Sequence, residues 1–255
     1  MRYGLALSYV TSRTGGFTNL LIITLCNLIP VVGPIATLGY RAEVSQALLR
    51  DRQRRRHPKF DFDRFGKYLN RGVWAFLQSL LLGVILAGCV LVSAVVGFAV
   101  ATIQAEAGMI VGFIGYAGSI LAVTALAAPM QFHAELSNKF DFLGSLKFAW
   151  SAWSTVGLQM FLTWLVFIPI SFLVAIAGLL LCFVGIYPAS VLLQMASQHL
   201  MVQLYDEYLD RGGQPIREFR DPEEYEQDDD YEDDEDEEED DRPRRRRRSD
   251  DFDDE

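Results

Sequence analysis

Residues Gly72 to Ile103, GVWAFLQSLLLGVILAGCVLVSAVVGFAVATI, run for 32 positions without a charged side chain. A hydrocarbon core about 30 Å thick is crossed by roughly 20 apolar residues in a helix, so this run is long enough to span a bilayer. A soluble helix of the same length would carry a polar face, and this one has none. Ile110 to His133 and Val156 to Gln198 are two further runs of membrane length with no Asp, Glu, Lys or Arg. The pattern predicts an all-α fold: a polytopic α-helical integral membrane bundle with a disordered acidic C-terminal tail.

Charge is divided unevenly along the chain. The formal net charge of the 255 residues is −10. From Asp221 to Glu255 there are 22 acidic and 6 basic side chains, whereas the preceding 220 residues carry 17 basic and 11 acidic ones. The body is therefore mildly basic, and the tail holds all of the acidic excess. Residues 219–255 bury too little apolar surface to offset their ordering entropy, so disorder is expected there. Within the tail, Asp228 to Asp241 is almost wholly acidic and Arg242 to Arg248 almost wholly basic. Two opposed charge blocks side by side read as a solvated segment, with docking of a cytoplasmic protein as the sharper alternative. The acidic neighbours disfavour both anionic lipid and nucleic acid as partners of the arginines.

Working outward from the first run, residues 17–218 are read as the helical membrane domain, preceded by an interfacial segment at 1–16. Cleavage of a signal peptide is not expected, because Met1 to Thr14 is not a short basic leader and Ile35-Ala36-Thr37 is a poor cleavage site. The element at 17–49 opens with 24 uncharged residues, Phe17 to Tyr40, broken by Pro30, Gly33 and Pro34. It is either one kinked crossing or two half-helices that meet at a turn, and this choice sets the side of the N-terminus. Full crossings are expected at about 73–100, 110–130, 156–183 and 188–205, the last opening at Gly185-Ile186-Tyr187-Pro188, where Pro188 suits a first helical turn. A bend at Pro169 is allowed for.

Arg41 to Arg71 holds ten basic residues against four acidic ones. The positive-inside rule places this loop, and with it the tail, on the cytoplasmic face of the cell membrane. Phe60, Phe62 and Phe65 alternate with charged residues as though dipping into headgroups. Phe142, Leu146, Ala149, Trp150 and Trp153 share a helical face that suits an interfacial helix. Trp164 and Tyr205 are read as interface anchors. Ser79, Gly83 and Ala87 on one run, and Gly108, Gly112, Gly115 and Ser119 on the next, offer small-residue faces for an antiparallel helix pair or a homo-oligomer.

Chemistry-bearing residues are sparse. Pumps, ion-coupled carriers and membrane enzymes place ionisable groups inside their helices, and the centres of these runs contain none. Asn27, Gln78, Gln159 and Gln194 are the polar exceptions, expected to bond neighbouring helices. His57, His133 and His199 lie near run ends. His133 and Glu135 resemble half of a metal or acid–base pair but have no third ligand nearby. Cys26, Cys89 and Cys182 lack zinc spacing and read as small hydrophobes. No catalytic, cofactor or metal site is assigned, and no cofactor is expected.

Asn27-Leu28-Ile29-Pro30-Val31-Val32-Gly33-Pro34, then Leu38-Gly39-Tyr40 and Phe60-Asp61-Phe62-Asp63, resemble the opening of a prokaryotic family of polytopic membrane proteins of unknown function. The closing stretch from Gly185 to Pro188 through His199-Leu200 to Gln203-Leu204-Tyr205 is similar to that family's final helix. The resemblance implies the membrane architecture and brings no catalytic residues. Two functions follow as expectations. One is a non-enzymatic scaffold or adaptor in the lipid bilayer, displaying charged segments to cytoplasmic partners. The other is a transporter or permeation accessory for a neutral or apolar solute, built around the broken helices.

Overall fold

A computed structural model describes residues 3–8, 16–50, 58–180 and 185–219. The acidic and arginine blocks of the tail lie outside the described residues, as do Arg52, Arg54, Arg55, Arg56, His57 and Cys182. The chain divides between Glu218 and Phe219, and the first unit is the subject below. The described elements are all helical: α1 (Tyr3–Ser8), α2 (Gly16–Asn27), α3 (Val32–Arg50), α4 (Phe65–Ala101), α5 (Ala105–Ser137), α6 (Phe142–Leu180) and α7 (Ile186–Asp210). Three of them, α4, α5 and α6, are long and apolar enough to cross a membrane. At 37 residues α4 is about 55 Å long, so it extends well beyond one hydrocarbon thickness.

The chain turns back at Leu28–Val31, making α2 and α3 a hairpin. Its tip is closed by Gly33, where an added Cβ would strike the backbone of Cys26. Its open end is tied by Asn19 Nδ2, which donates to the Tyr40 hydroxyl at 3.2 Å. A kinked single crossing would hold those two residues far apart, so the backbone resolves the ambiguity of the two prolines.

Helix α3 runs against α4 so closely that neither surface has room for a side chain at the crossing. A Cβ on Gly39 would collide with the Tyr68 backbone, and one on Gly72 with the Ile35 carbonyl. Helices α4 and α5 pair through Gly97 against Gly112, Gly108 against Ala101, and Gly115 against Ser93. The small-residue face of α5 is thus used, but Gly83 and Ala87 of α4 are exposed and do not join it. A strict four-residue stripe drifts by about 40° per step on a helix of 3.6 residues per turn, and it has rotated off the contact face there.

Helix α5 ends at Asn138, whose left-handed φ of 49° suits a C-cap while its N–H bonds Ala134. Asp141 then starts α6, its carboxylate accepting the Gly144 N–H at 2.8 Å. Helix α6 departs from helical dihedrals at Val156 (φ −124°, ψ 21°), not at Pro169. Below that break, Leu146 and Phe142 pack around Ala149 against Leu82 and Met130, and Trp153 donates to the Ala125 carbonyl at 3.0 Å. This segment is a packed part of the bundle; of its aromatic face only Trp150 projects strongly outward.

Two aromatic residues read as interfacial are in the core instead. Phe60 is buried against Tyr40 and Tyr68, because Asn19 Oδ1 captures its backbone N–H at 3.1 Å. Tyr205 is buried against Phe132 and Phe148, and its hydroxyl accepts the Ile216 N–H at 2.7 Å as the chain folds back past Gly212.

Candidate functional site

At the ends of α4 and α5 away from their connecting turn at Thr102–Gln104, the inner ends of that pair within the bundle, a polar layer forms with α3, α6 and α7. Its centre is Gln198 of α7, which is fully buried. Its amide Nε2 donates to Ser45 Oγ at 2.5 Å and to Glu135 Oε2 at 2.6 Å, while its Oε1 accepts from Arg41 Nη2 at 2.7 Å. Arg41 Nη2 also lies 3.1 Å from Glu135 Oε1, and the Glu135 side chain has 0% exposure. One glutamine therefore joins α3, α5 and α7, and the buried carboxylate sits beside a guanidinium. Burying a carboxylate is costly unless it is paired and hydrogen-bonded. Arg41 Nε is left without a hydrogen-bond partner.

A second group ties α4, α5 and α6. Gln78 Nε2 donates to the Met130 carbonyl at 2.8 Å, and its Oε1 accepts from Ser145 Oγ at 3.2 Å. Ser145 lies 3.0 Å from His133 Nδ1. A serine beside a histidine invites comparison with a hydrolytic pair, but Ser145 has no exposure and shares its hydroxyl with Gln78. A third group joins α3 to α4: Arg64 to Glu43 at 2.7 Å and Arg71 to Gln46 at 2.6 Å.

The residues singled out by sequence are dispersed across these groups. His133 and Glu135, two positions apart on a helix, face different neighbours, Ser145 and Phe148 for the first and Arg41 and Gln198 for the second. His199 is buried and contacts Gln203 at 2.9 Å. Asn27 accepts from Thr37 Oγ1 at 3.2 Å, and its Nδ2 is buried without a partner. Gln159 meets the Arg211 guanidinium at the end of α7. Gln194 is half-buried. Among the described residues no three His, Cys, Asp or Glu side chains gather as metal ligands would.

Arg41 and Gln198 were not legible as partners of Glu135, nor Ser45 as a partner of Gln198. The available signal was positional: Arg41, Glu135 and Gln198 each stand at the edge of a long uncharged run, where polar side chains that the bundle buries must bring partners to one another.

Two mainly apolar hollows are found among the described residues, one far from this layer and one beside it. One is an open groove of about 400 Å³ between α4 and α5, lined by residues such as Val90, Phe98, Met109 and Phe113. The other is a void of about 10 Å³ among Phe132, Met160, Met201 and Tyr208. The arrangement thus joins helices by buried polar contacts and presents apolar surface elsewhere. No curated protein and no solved structure matches the chain. Residues 22–183, which take in most of the hairpin and the three long apolar helices, match the family described as protein of unknown function (DUF4013), and the chain belongs to that family.

Proposed function

We propose that this protein is a non-enzymatic membrane scaffold or adaptor. The observation that supports this reading best is the complete engagement of Gln198 by Arg41, Ser45 and Glu135. Polar groups that could line a solute path are used to join helices, and the α3–α4 and α4–α5 contacts are closed by glycines. In this reading α4, α5 and α6 cross the cell membrane. Helix α7, whose polar residues are sheltered by the other helices, makes the fourth crossing. The basic residues between α3 and α4 and the tail 219–255 face the cytoplasm and offer charge to protein partners.

A second reading, a transporter or permeation accessory for a neutral or apolar solute, draws on one observation: the buried, unpartnered amide nitrogen of Asn27 at the broken element. Stopped-flow swelling of proteoliposomes in glycerol separates the two. A scaffold leaves the swelling rate at that of empty vesicles. An increase that Asn27→Leu abolishes would replace the scaffold by the second reading. In parallel, purification of the full chain against a version ending at Arg220 asks whether the tail recruits a partner. Identical, partner-free preparations would remove the adaptor role.

A further inference from the structure

The hairpin carries an apolar surface whose position indicates what covers it. On α2, the exposed residues Phe17, Leu21 and Leu25 recur every fourth position and lead to Leu28, Ile29 and Val31 at the tip, all of them more than two-fifths exposed. The opposite face, with Leu20, Ile23 and Cys26, packs into the core. The apolar stripe is therefore continuous from the base of α2 to its turn.

Length shows that α2 cannot cross by itself. Helix α2 has 12 residues and is about 18 Å long, close to one leaflet's share of a hydrocarbon core about 30 Å thick. Both ends of the hairpin are held together at its base by Asn19, Tyr40 and the Pro58 carbonyl, with Tyr40 Oη donating to that carbonyl at 2.7 Å. Lys59 follows at once, and the arginine-rich loop lies between Arg50 and Pro58 in sequence.

The turn is also prepared for a medium without water. Irregular backbone at membrane depth must satisfy its own polar groups. The N–H groups of Leu28, Ile29, Val32 and Gly33 bond carbonyls within the turn at 2.9–3.1 Å. Pro30 and Pro34 have no N–H to leave unpaired. Val31 holds φ at 69°, a region that a β-branched residue enters only with strain. The tip keeps that strain together with an apolar side chain where glycine would be unstrained.

We propose that the α2–α3 hairpin is a monotopic wedge, seated in the acyl chains of one leaflet, with the segment before α2 and the loop after α3 on the same membrane face. Lys59, at its base, lies against anionic headgroups. This rests on the membrane embedding of α4 and α5 and is independent of the scaffold role.

The test is single-cysteine labelling of the full-length protein, with Cys26, Cys89 and Cys182 first replaced by alanine and folding checked by gel filtration. Thr14→Cys, Ile29→Cys, Lys59→Cys and Gln104→Cys are each treated with a membrane-impermeant maleimide in right-side-out and inverted vesicles. The wedge requires Thr14→Cys and Lys59→Cys to label from one side, Gln104→Cys from the other, and Ile29→Cys from neither. Labelling of Thr14→Cys from the Gln104 side would overturn it in favour of a crossing, and ready labelling of Ile29→Cys would overturn insertion. If Lys59→Cys and Gln104→Cys label from the same side, the embedding of α4 fails as well, which is a separate and recognisable failure. Quenching of a bimane at Ile29→Cys by nitroxides along lipid chains gives the depth: stronger quenching from mid-chain than from headgroup labels is expected, and the reverse order would place the tip outside the hydrocarbon.

Discussion

Helices α4 and α5 pass through two unlike regions of the same molecule. At their outer ends they touch mainly each other, glycine to glycine, with Val92, Val95, Phe98 and Phe113 largely exposed. At their inner ends they meet α3, α6 and α7, and the contacts include Glu135–Arg41, Gln78–Ser145 and Arg71–Gln46. The outer region is held mainly by close approach, with a Ser93–Ser119 hydroxyl contact at 3.4 Å beside it, which is how helices associate where no hydrophobic drive separates them from lipid. The inner region buries polar and charged groups such as Glu135, Gln78 and Gln198, so each depends on its partner. The same backbone geometry therefore has two kinds of fragility: local and graded outside, cooperative inside.

The largest effect should come from the inner ion pair. Glu135→Ala leaves Arg41 beside an empty site, and removing one partner of a buried pair costs roughly 3–5 kcal/mol. A severe fall in thermal stability in detergent is expected, with much of it recovered in the double variant Arg41→Met/Glu135→Leu. Failure of that rescue would show that Arg41 and Glu135 do not act as a pair.

Next comes Gly39→Ala, which forces a methyl group into the Tyr68 backbone. Overpacking of this kind costs about 1–3 kcal/mol or more, read as a lower melting temperature and a looser α3–α4 contact by cysteine cross-linking. At the outer pair, Gly97→Ala places a Cβ 2.7 Å from Gly112 Cα. Two helices with few other neighbours can part slightly, so the loss should be near 1 kcal/mol, the low end of the same range. A penalty at Gly97 equal to that at Gly39 would break the distinction between graded and cooperative regions. Ser93→Ala, which removes a 3.4 Å contact with Ser119, should cost only about 0.6 kcal/mol.

The smallest effect is expected at Val31→Gly. Relief of the left-handed strain, about 1–2 kcal/mol, is largely offset by the added freedom of the unfolded chain. Detergent stability should stay level or rise slightly. A clear fall would mean that the Val31 side chain has a protein contact and not a lipid one.

How much of this was legible follows from the physical range of each signal. The fold class could be read from single runs, because the absence of charge over 32 residues is a property of one helix and its solvent. The use of the α5 glycine face could be read for the same reason, since the spacing lies within one helix. Its partner on α4 could not, because Ser79, Gly83 and Ala87 fit a four-residue stripe equally well and only the register of the α4–α5 turn selects Ser93, Gly97 and Ala101. The exposure of Phe60 and Tyr205 was misread because their burial depends on backbone groups, the Phe60 and Ile216 N–H donors, whose bonds involve the side chains of distant residues.

By itself the sequence determined the helical class, the apolar character of α4, α5 and α6, and the segregation of acidic charge into the last 35 residues. These are sums over neighbouring residues and need no fold. Only the tertiary structure decided that residues 16–50 turn back on themselves and that Arg41, Ser45, Glu135 and Gln198 meet. Such contacts join residues up to 157 positions apart, and a buried polar group is stable only where helices from separate parts of the chain deliver its partner.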